Sequence, residues 1–446
     1  MIGSFMGSME ATVVATAMPT IVAQLGGLSI YGWAFSIYIL TSSAALPLMG
    51  KLSDIFGRRS VYASAMGLFL LASLLCAVAP SMFWLIVFRG LQGLGAAGLL
   101  PLALVMVGDL FTLEERARVQ ALFSFVWGLS SITGPLLGGI LVDTLGWPSV
   151  FAINLPFGLL SAWLVWHYWQ DAPRDHRKAY IDYPGAALVT ASAVLLLWAL
   201  VDVLHWQNWL AAAASVALLV LLLRVERRSP DPVIPLELFT WRFFVIAVIH
   251  SLVVGWLLNG VTAYIPLFVQ KVQGRSAVEA GASLTPMLLG WVIASVVSAR
   301  LLLRTGYWTI VTGGMVLVVA GSLPLIWLDR SRDWTYVWTS LAVMGLGFGF
   351  SVPPYFIAVQ QQVERKFMGA ATAQLQFARN LGGAVGVGVM GAVFNLREKA
   401  AGFDRALEST FTVAAVVTLG GLAALCFAPR LSPAQLRQRR GDSSPT

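Results

Sequence analysis

Long apolar runs, broken at short intervals by charge, glycine and proline, organise this chain. Fourteen such segments lie near 2–22, 31–50, 60–79, 82–107, 118–142, 149–169, 184–204, 207–224, 242–269, 279–303, 308–328, 334–358, 371–395 and 410–428. A helix that crosses a bilayer needs about 20 predominantly apolar residues, and nearly every run meets that length. The pattern therefore predicts an all-α polytopic membrane protein. Segments 184–204 and 207–224 meet at a very short turn around His205 and Trp206, which predicts a helical hairpin.

Composition sharpens this picture. The 446 residues are 58% hydrophobic and only 11% charged, with a mean hydropathy of +0.78. Soluble domains carry roughly 25% charged residues, so this chain cannot cover a surface that faces water. The net charge of +8 would suggest nucleic-acid binding in a soluble protein. Here the basic residues occupy short loops, and their sidedness explains them instead. Of the 29 Lys and Arg, 21 fall on one side of the alternating segments, Arg379 of the run 371–395 counted among them, and 7 on the other, with Arg89 set apart inside a span. The positive-inside rule then places both termini in the cytoplasm. An odd number of spans would scramble that alternation.

Several classes of chemistry find no support. Cys76 and Cys426 are far apart in sequence and the four histidines are isolated, so neither a redox pair nor a metal site is expected. No G-x-x-x-x-G-K-[ST] loop is present for ATP, and no cluster of His, Asp or Cys marks a membrane enzyme. The N-terminal stretch lacks the basic leader of a signal peptide and carries Glu10 among apolar residues, so it reads as a retained first helix.

Glu10 and Arg89 are the two ionised types deep in the apolar runs. At about 1.5 Å per residue, Glu10 lies on the order of 12–15 Å from the cytoplasmic side and Arg89 a similar distance from the other, so both reach near the midplane. Charges there are costly and point to function. A neighbouring cation favours an ionised carboxylate and desolvation favours the neutral acid. A carboxylate held between these two effects can exchange a proton for a substrate. The alternative is a static buried ion pair. His250 also lies in a span, where a lone histidine is more often a packing residue.

Other stretches carry local geometry. Gly50-Lys-Leu-Ser-Asp54-Ile-Phe-Gly57-Arg58-Arg59 combines a small residue for close helix approach, an acid one turn later, a turn glycine and paired arginines. Gly134-Pro135-Leu-Leu-Gly138-Gly139 sits mid-span, where proline removes a backbone bond and the glycines allow tight packing. It is either a flexible seal that favours exchange over leak or a structural kink. TGPLLGGILV has a looser echo in LGGAVGVGVMGAV, and GKLSDIFGRRS a degenerate counterpart in ARLLLRTGYW. Two six-helix halves separated by two extra helices would put these pairs at equivalent positions.

The Gly50–Arg59 stretch resembles the signature loop G-x-L-x-D-x-x-G-R-[RK] of the major facilitator superfamily. Arg89-Gly90-Leu-Gln92-Gly93-Leu-Gly95 resembles the fourth-helix motif of its fourteen-helix drug:proton antiporter family, and Gly134–Gly139 the fifth-helix antiporter motif. Met9-Glu10-Ala-Thr12-Val-Val-Ala-Thr-Ala-Met-Pro19 resembles the first-helix motif L-D-x-T-[IV]-V-N-V-A-L-P, with Glu for Asp and Ala15-Thr16 for Asn-Val. YIPLFVQKVQG, SAVEAGASLTP and QFARNLGGAVGV extend the likeness along nearly the whole chain.

The resemblance implies a major facilitator fold with 14 transmembrane helices. The N-terminal bundle would span 1–170, a linker 171–183, the two extra helices 184–224, a second linker 225–241, the C-terminal bundle 242–430 and a cytoplasmic tail 431–446. It implies alternating access, with Glu10 and Arg89 in proton coupling, Gly50, Asp54, Gly57, Arg58 and Arg59 in gating, and Gly134, Pro135, Gly138 and Gly139 as antiporter motif. The expected substrates are hydrophobic or cationic drug-like compounds. The acid that some relatives carry in the tenth span is missing here, which argues against dications. Trp33, Tyr38, Trp127, Trp256, Asn259, Tyr264, Gln374 and Asn380 are candidates for an aromatic cavity with sparse amides, although such aromatics also face lipid in many membrane proteins. No cofactor and no enzymatic activity are expected. The expected partners are the proton, a small amphipathic substrate and membrane lipids, with no nucleic acid and a monomeric state. Arg outnumbers Lys 24 to 5, compatible with a GC-rich bacterial genome and hence a bacterial cytoplasmic membrane. The rival within transport is an exporter or flippase of an endogenous lipid, siderophore or other amphiphilic metabolite. The antiporter-like motif argues against import, and the two-half organisation against a channel.

Overall fold

Every regular element among the described residues is helical, as the backbone requires where no water can satisfy its polar groups. The computed structural model describes residues 2–110, 126, 130, 133–169, 183–201, 206–227, 236–329, 332–363 and 368–430. Trp127, two of the linkers' stretches and the tail beyond 430 lie outside these residues. Of Asp54, the helix it belongs to is described and its side chain is not.

In chain order the helices are α1 (Ile2–Leu25), α2 (Trp33–Phe56), α3 (Arg58–Ala77) and α4 (Met82–Leu110), then α5 (Thr133–Leu145). α6 (Ser149–Ala152) and α7 (Asn154–Tyr168) follow, then the hairpin α8 (Tyr183–Val201) and α9 (Trp206–Glu226). The rest are α10 (Arg242–Lys271), α11 (Ala277–Ser283), α12 (Thr285–Thr305), α13 (Tyr307–Ser322), α14 (Trp334–Gln362), α15 (Met368–Ala401) and α16 (Phe403–Leu425). Among the described residues, eleven helical stretches are long and apolar enough to cross a membrane, and Thr133–Leu145 and Ala187–Leu196 are shorter apolar helices. Each of the fourteen apolar segments overlaps at least one of the helices α1 to α16.

The chain divides into two compact units. One holds Met1–Val233 with Ile265–Ala282, the other Ile234–Tyr264 with Ser283–Thr446. Helix α10 contributes to both, and the change falls one residue before Pro266, which lies inside the helix. In the first unit α4 packs on α2 and α3, and in the second α14 packs on α12 and α13. The turns repeat as well. Gly57 joins α2 to α3 at φ 88°, ψ 147°, and Gly306 joins α12 to α13 at φ 80°, ψ 162°. The two degenerate loop sequences thus end in the same glycine-dependent backbone conformation. That region is essentially closed to residues with a Cβ and costs on the order of 1–3 kcal/mol. Gly57→Ala is accordingly expected to lower stability by that amount, read as a lower unfolding midpoint in detergent. Gly67→Ala, in helix α3 with open space around its Cβ position, is the neutral control.

Burial separates helices of similar composition. α1 is largely buried, with Met6, Met9, Val13, Val14, Ala17, Met18 and Ile21 covered, the pattern of an interior helix. α9 is apolar yet exposes Trp206, Trp209, Leu210, Val216, Leu219 and Leu223, a surface that suits lipid. Its partner α8 packs on α2, which attaches the hairpin to the first unit.

Candidate functional site

Polar residues from three other helices converge around Glu10. Arg89 and Gln92 are three residues apart on α4, and Ser73 and Cys76 three apart on α3, so each pair shares one helix face. Asn154 opens α7, just after the interruption at Ile153. Glu10, Arg89, Gln92, Ser73 and Asn154 are each at most 1% exposed.

The hydrogen bonds form one connected set. Arg89 Nη1 donates to Glu10 Oε1 at 2.6 Å and to Gln92 Oε1 at 2.6 Å. Arg89 Nε donates to the Ala34 carbonyl of α2 at 3.1 Å. The second carboxylate oxygen, Glu10 Oε2, accepts from Asn154 Nδ2 at 2.6 Å. Gln92 Nε2 donates to Ser73 Oγ at 2.8 Å, and Asn154 Nδ2 lies 3.4 Å from the same hydroxyl. Beneath the guanidinium, the Tyr38 ring lies with its centroid 4.2 Å from Cζ, a cation–π contact. Five helices therefore meet at one ion pair. Such a pair away from water is tolerable only when both charges are this fully bonded.

The helix that carries Glu10 is clasped by α5. A Cβ added to Gly134 would strike the Thr12 side chain, and one on Gly138 would strike Thr16 and the Val13 backbone. On the far side of α5, a Cβ on Gly139 would meet the backbone of Val278 in α11, and one on Gly281 the Pro135 carbonyl. The glycines of this motif thus hold α5 against α1 on one face and α11 on the other. Thr12 and Thr16 satisfy their own hydroxyls on Met9 and Val13 carbonyls at 2.9 and 2.8 Å, so those contacts stay steric. Gln270 of α10 donates to the Thr16 carbonyl at 3.0 Å. Gly139→Val is expected to overpack the α5–α11 contact by about 1–3 kcal/mol, measured as a lower unfolding midpoint. Substitution at Gly7, where a Cβ meets open space, should leave the midpoint nearly unchanged.

The remaining sequence candidates are placed as follows. Arg59 stacks on Trp166 of α7, with Cζ 4.3 Å from the ring centroid, and Arg58 is half-buried beside it at the start of α3. Tyr38 belongs to the ion-pair cluster itself. Trp33 is half-buried at the start of α2. In the second unit, Asn259 donates to the Gly255 carbonyl at 3.0 Å, and Gly386 and Gly383 sit against Trp256 and Asn259. Tyr264 is buried against Phe394, Gln374 is buried, and Asn380 accepts from Gln376 at 3.1 Å. His250 is buried edge-on to Tyr355, with ring centroids 5.0 Å apart.

Sequence reasoning singled out Glu10 and Arg89, and these are the residues in contact. It missed Asn154, Ser73 and the part played by Gln92. A lone amide or hydroxyl inside an apolar run carries no periodic signal, and nothing in FAINLPFG marked Asn154.

The model of the Major Facilitator Superfamily matches residues 1–387. The chain belongs to that superfamily. This facilitator is 35% identical over 403 residues to the multidrug transporter protein MdtP of Bacillus subtilis (strain 168), covering 89% of this chain and 74% of the relative. It is also 35% identical over 401 residues to multidrug resistance protein 3 of the same organism, covering 88% and 78%. Its fold matches the crystal structure of a D-xylose-proton symporter with a TM-score of 0.72 at 15% identity, over 97% of each chain. The facilitator is an integral membrane transporter and not an enzyme.

Proposed function

We propose that this facilitator is a proton-coupled exporter of hydrophobic or cationic drug-like compounds. It would work by alternating access through fourteen spans in a bacterial cytoplasmic membrane, with both termini in the cytoplasm. The observation that carries the reading is the Glu10 carboxylate, fully buried and bonded to Arg89 and Asn154. A buried carboxylate whose charge is favoured by Arg89 and opposed by desolvation suits a carrier that takes up and releases a proton during transport. Arginine stays protonated in proteins, so protonation of Glu10 leaves a buried cation without its counter-ion. That imbalance biases the bundle toward a different arrangement, as a two-state transporter needs. The multidrug relatives support drug-like substrates. The gating roles of Gly50, Asp54, Gly57, Arg58 and Arg59 and the cavity roles of Trp33, Tyr38, Trp127, Trp256, Asn259, Tyr264, Gln374 and Asn380 belong to the same proposal.

The test is ethidium movement in inside-out vesicles under an imposed proton gradient. Gradient-driven accumulation that a protonophore abolishes is expected. No accumulation by protein shown to be correctly reconstituted would overturn drug export and favour a lipid or metabolite as cargo.

A further inference from the structure

Asn154 is in contact with the carboxylate yet leaves half of its amide unused. Its Nδ2 donates to Glu10 Oε2 at 2.6 Å, whereas its Oδ1 is buried without a hydrogen-bond partner among the described residues. The side chain is 0% exposed, so water does not satisfy that oxygen at the surface. A buried acceptor left unpaired is costly, and here it is one atom away from the group proposed to take up the proton.

We infer that Asn154 is a two-way partner of Glu10, donating to the carboxylate and, after its amide rotates, accepting from the carboxylic acid. The inference rests on the reading of Glu10 as proton carrier. The step balances simply. A proton adds to Oε2 and forms one O–H bond, while no covalent bond breaks. The Nδ2–H···Oε2 hydrogen bond and the longer 3.4 Å contact of Nδ2 with Ser73 Oγ are lost, the amide turns by half a rotation about Cβ–Cγ, and Oε2–H···Oδ1 forms while the Ser73 hydroxyl is left facing the turned amide. The two amide ends are nearly the same size, so the exchange needs no backbone movement. In each protonation state one end of the amide is bonded to Glu10 and the other makes no bond to it, the carboxylate state adding only the long Nδ2–Ser73 contact. The cost of the idle atom is therefore present before and after, and the switch is close to balanced.

The other acceptors near the carboxylate are engaged. Gln92 Oε1 accepts from Arg89, and Ser73 Oγ accepts from Gln92 Nε2. The remaining groups that face Glu10 electrostatically are Arg89, Tyr38 and Cys76. Arg89 has no lone pair to offer, and the Tyr38 ring is taken up by the guanidinium. Asn154 is a positioning residue in this scheme, acting on the proton's holder and not on the substrate.

Infrared difference spectra of the full chain in lipid, recorded between acidic and alkaline pH, test this directly. The carboxylic-acid band of Glu10 is identified by its loss in Glu10→Gln. With asparagine isotope-labelled at its side-chain carbonyl, the Asn154 band, identified by its loss in Asn154→Thr, is expected to move to lower wavenumber as Glu10 protonates. Asn154→Leu removes both roles. Its acid band should move to higher wavenumber, while the protonation midpoint shifts by less than about tenfold in proton concentration, because each state loses one bond. Asn154→Thr, whose hydroxyl can donate and accept, should keep the acid band near its native position.

A fixed donor predicts otherwise. Loss of a bond made only to the carboxylate would move the midpoint about ten- to a hundredfold. A native asparagine carbonyl band that ignores the titration would overturn the inference, and so would such a midpoint shift with an unchanged acid band. If no titrating acid band disappears in Glu10→Gln, Glu10 is not the proton carrier and both readings fall together.

Discussion

Glu10→Gln should abolish gradient-driven ethidium accumulation while leaving a folded, monodisperse protein. Glutamine is nearly isosteric, and its carbonyl can still accept from Arg89 Nη1 where Oε1 does now. What it removes is the titratable proton and the negative charge. A facilitator that exchanges substrate for a proton at Glu10 then has no way to couple the two fluxes. Downhill substrate exchange across the variant should survive, because alternating access does not itself require the carboxylate. Neutralising Glu10 leaves the Arg89 cation buried without its counter-ion, so the stability loss should approach that of a broken buried pair, about 3–5 kcal/mol, eased by the hydrogen bond that glutamine retains. Accumulation that persists in the variant would keep the antiporter and remove Glu10 as its carrier. In that case the cluster around it is a static ion pair that holds α1 to α4.

Arg89→Ala should be the most destabilising single change in the chain. The guanidinium ties α4 to α1 through Glu10, to α2 through the Ala34 carbonyl and the Tyr38 ring, and to its own helix through Gln92. Truncation leaves the Glu10 charge buried without a counter-ion, which costs about 3–5 kcal/mol, and opens a cavity where the side chain lay. Replacing both charges at once, as in Glu10→Gln with Arg89→Met, removes the unpaired charge and should recover most of that loss. The two variants can be compared by thermal unfolding in detergent and by yield. Equal destabilisation of the single and double variants would mean that packing of the arginine stem, and not charge balance, dominates its contribution. The double variant should in either case fail to couple ethidium to the proton gradient.

These expectations rest on residues that differ in how plainly the chain announced them. A buried charge is so costly in hydrocarbon that Glu10 and Arg89 stood out in apolar runs before any helix was placed. The direct 2.6 Å contact between them followed from their similar depth and the packing of neighbouring helices. Asn154 was illegible for the opposite reason. An amide is tolerated almost anywhere in a helix bundle, and this one lies 144 residues from its partner. Gln92 was visible inside a motif, but the motif did not say which of its atoms would meet Arg89. The glycines of the fifth-helix stretch were legible as sites of close approach. That Gly134 and Gly138 face α1 while Gly139 faces α11 required the helices to be arranged first.

Membrane residence, the number and boundaries of the apolar segments, the charge asymmetry of the loops and the signature turn at Gly57 are all local properties. Hydrocarbon imposes them residue by residue, since every span must be apolar, hydrogen-bonded within itself and of a fixed length. Which spans lie inside is not local. α1 and α9 are both apolar helices, yet one is largely enclosed and the other exposes a full face. Lipid tails are as apolar as leucine, so burial against protein and exposure to lipid leave nearly the same composition behind. In water the hydrophobic pattern would have told the two apart. In a bilayer that distinction, and with it the meeting of Glu10, Arg89 and Asn154, comes from side-chain packing and interhelical hydrogen bonds between residues far apart in the chain.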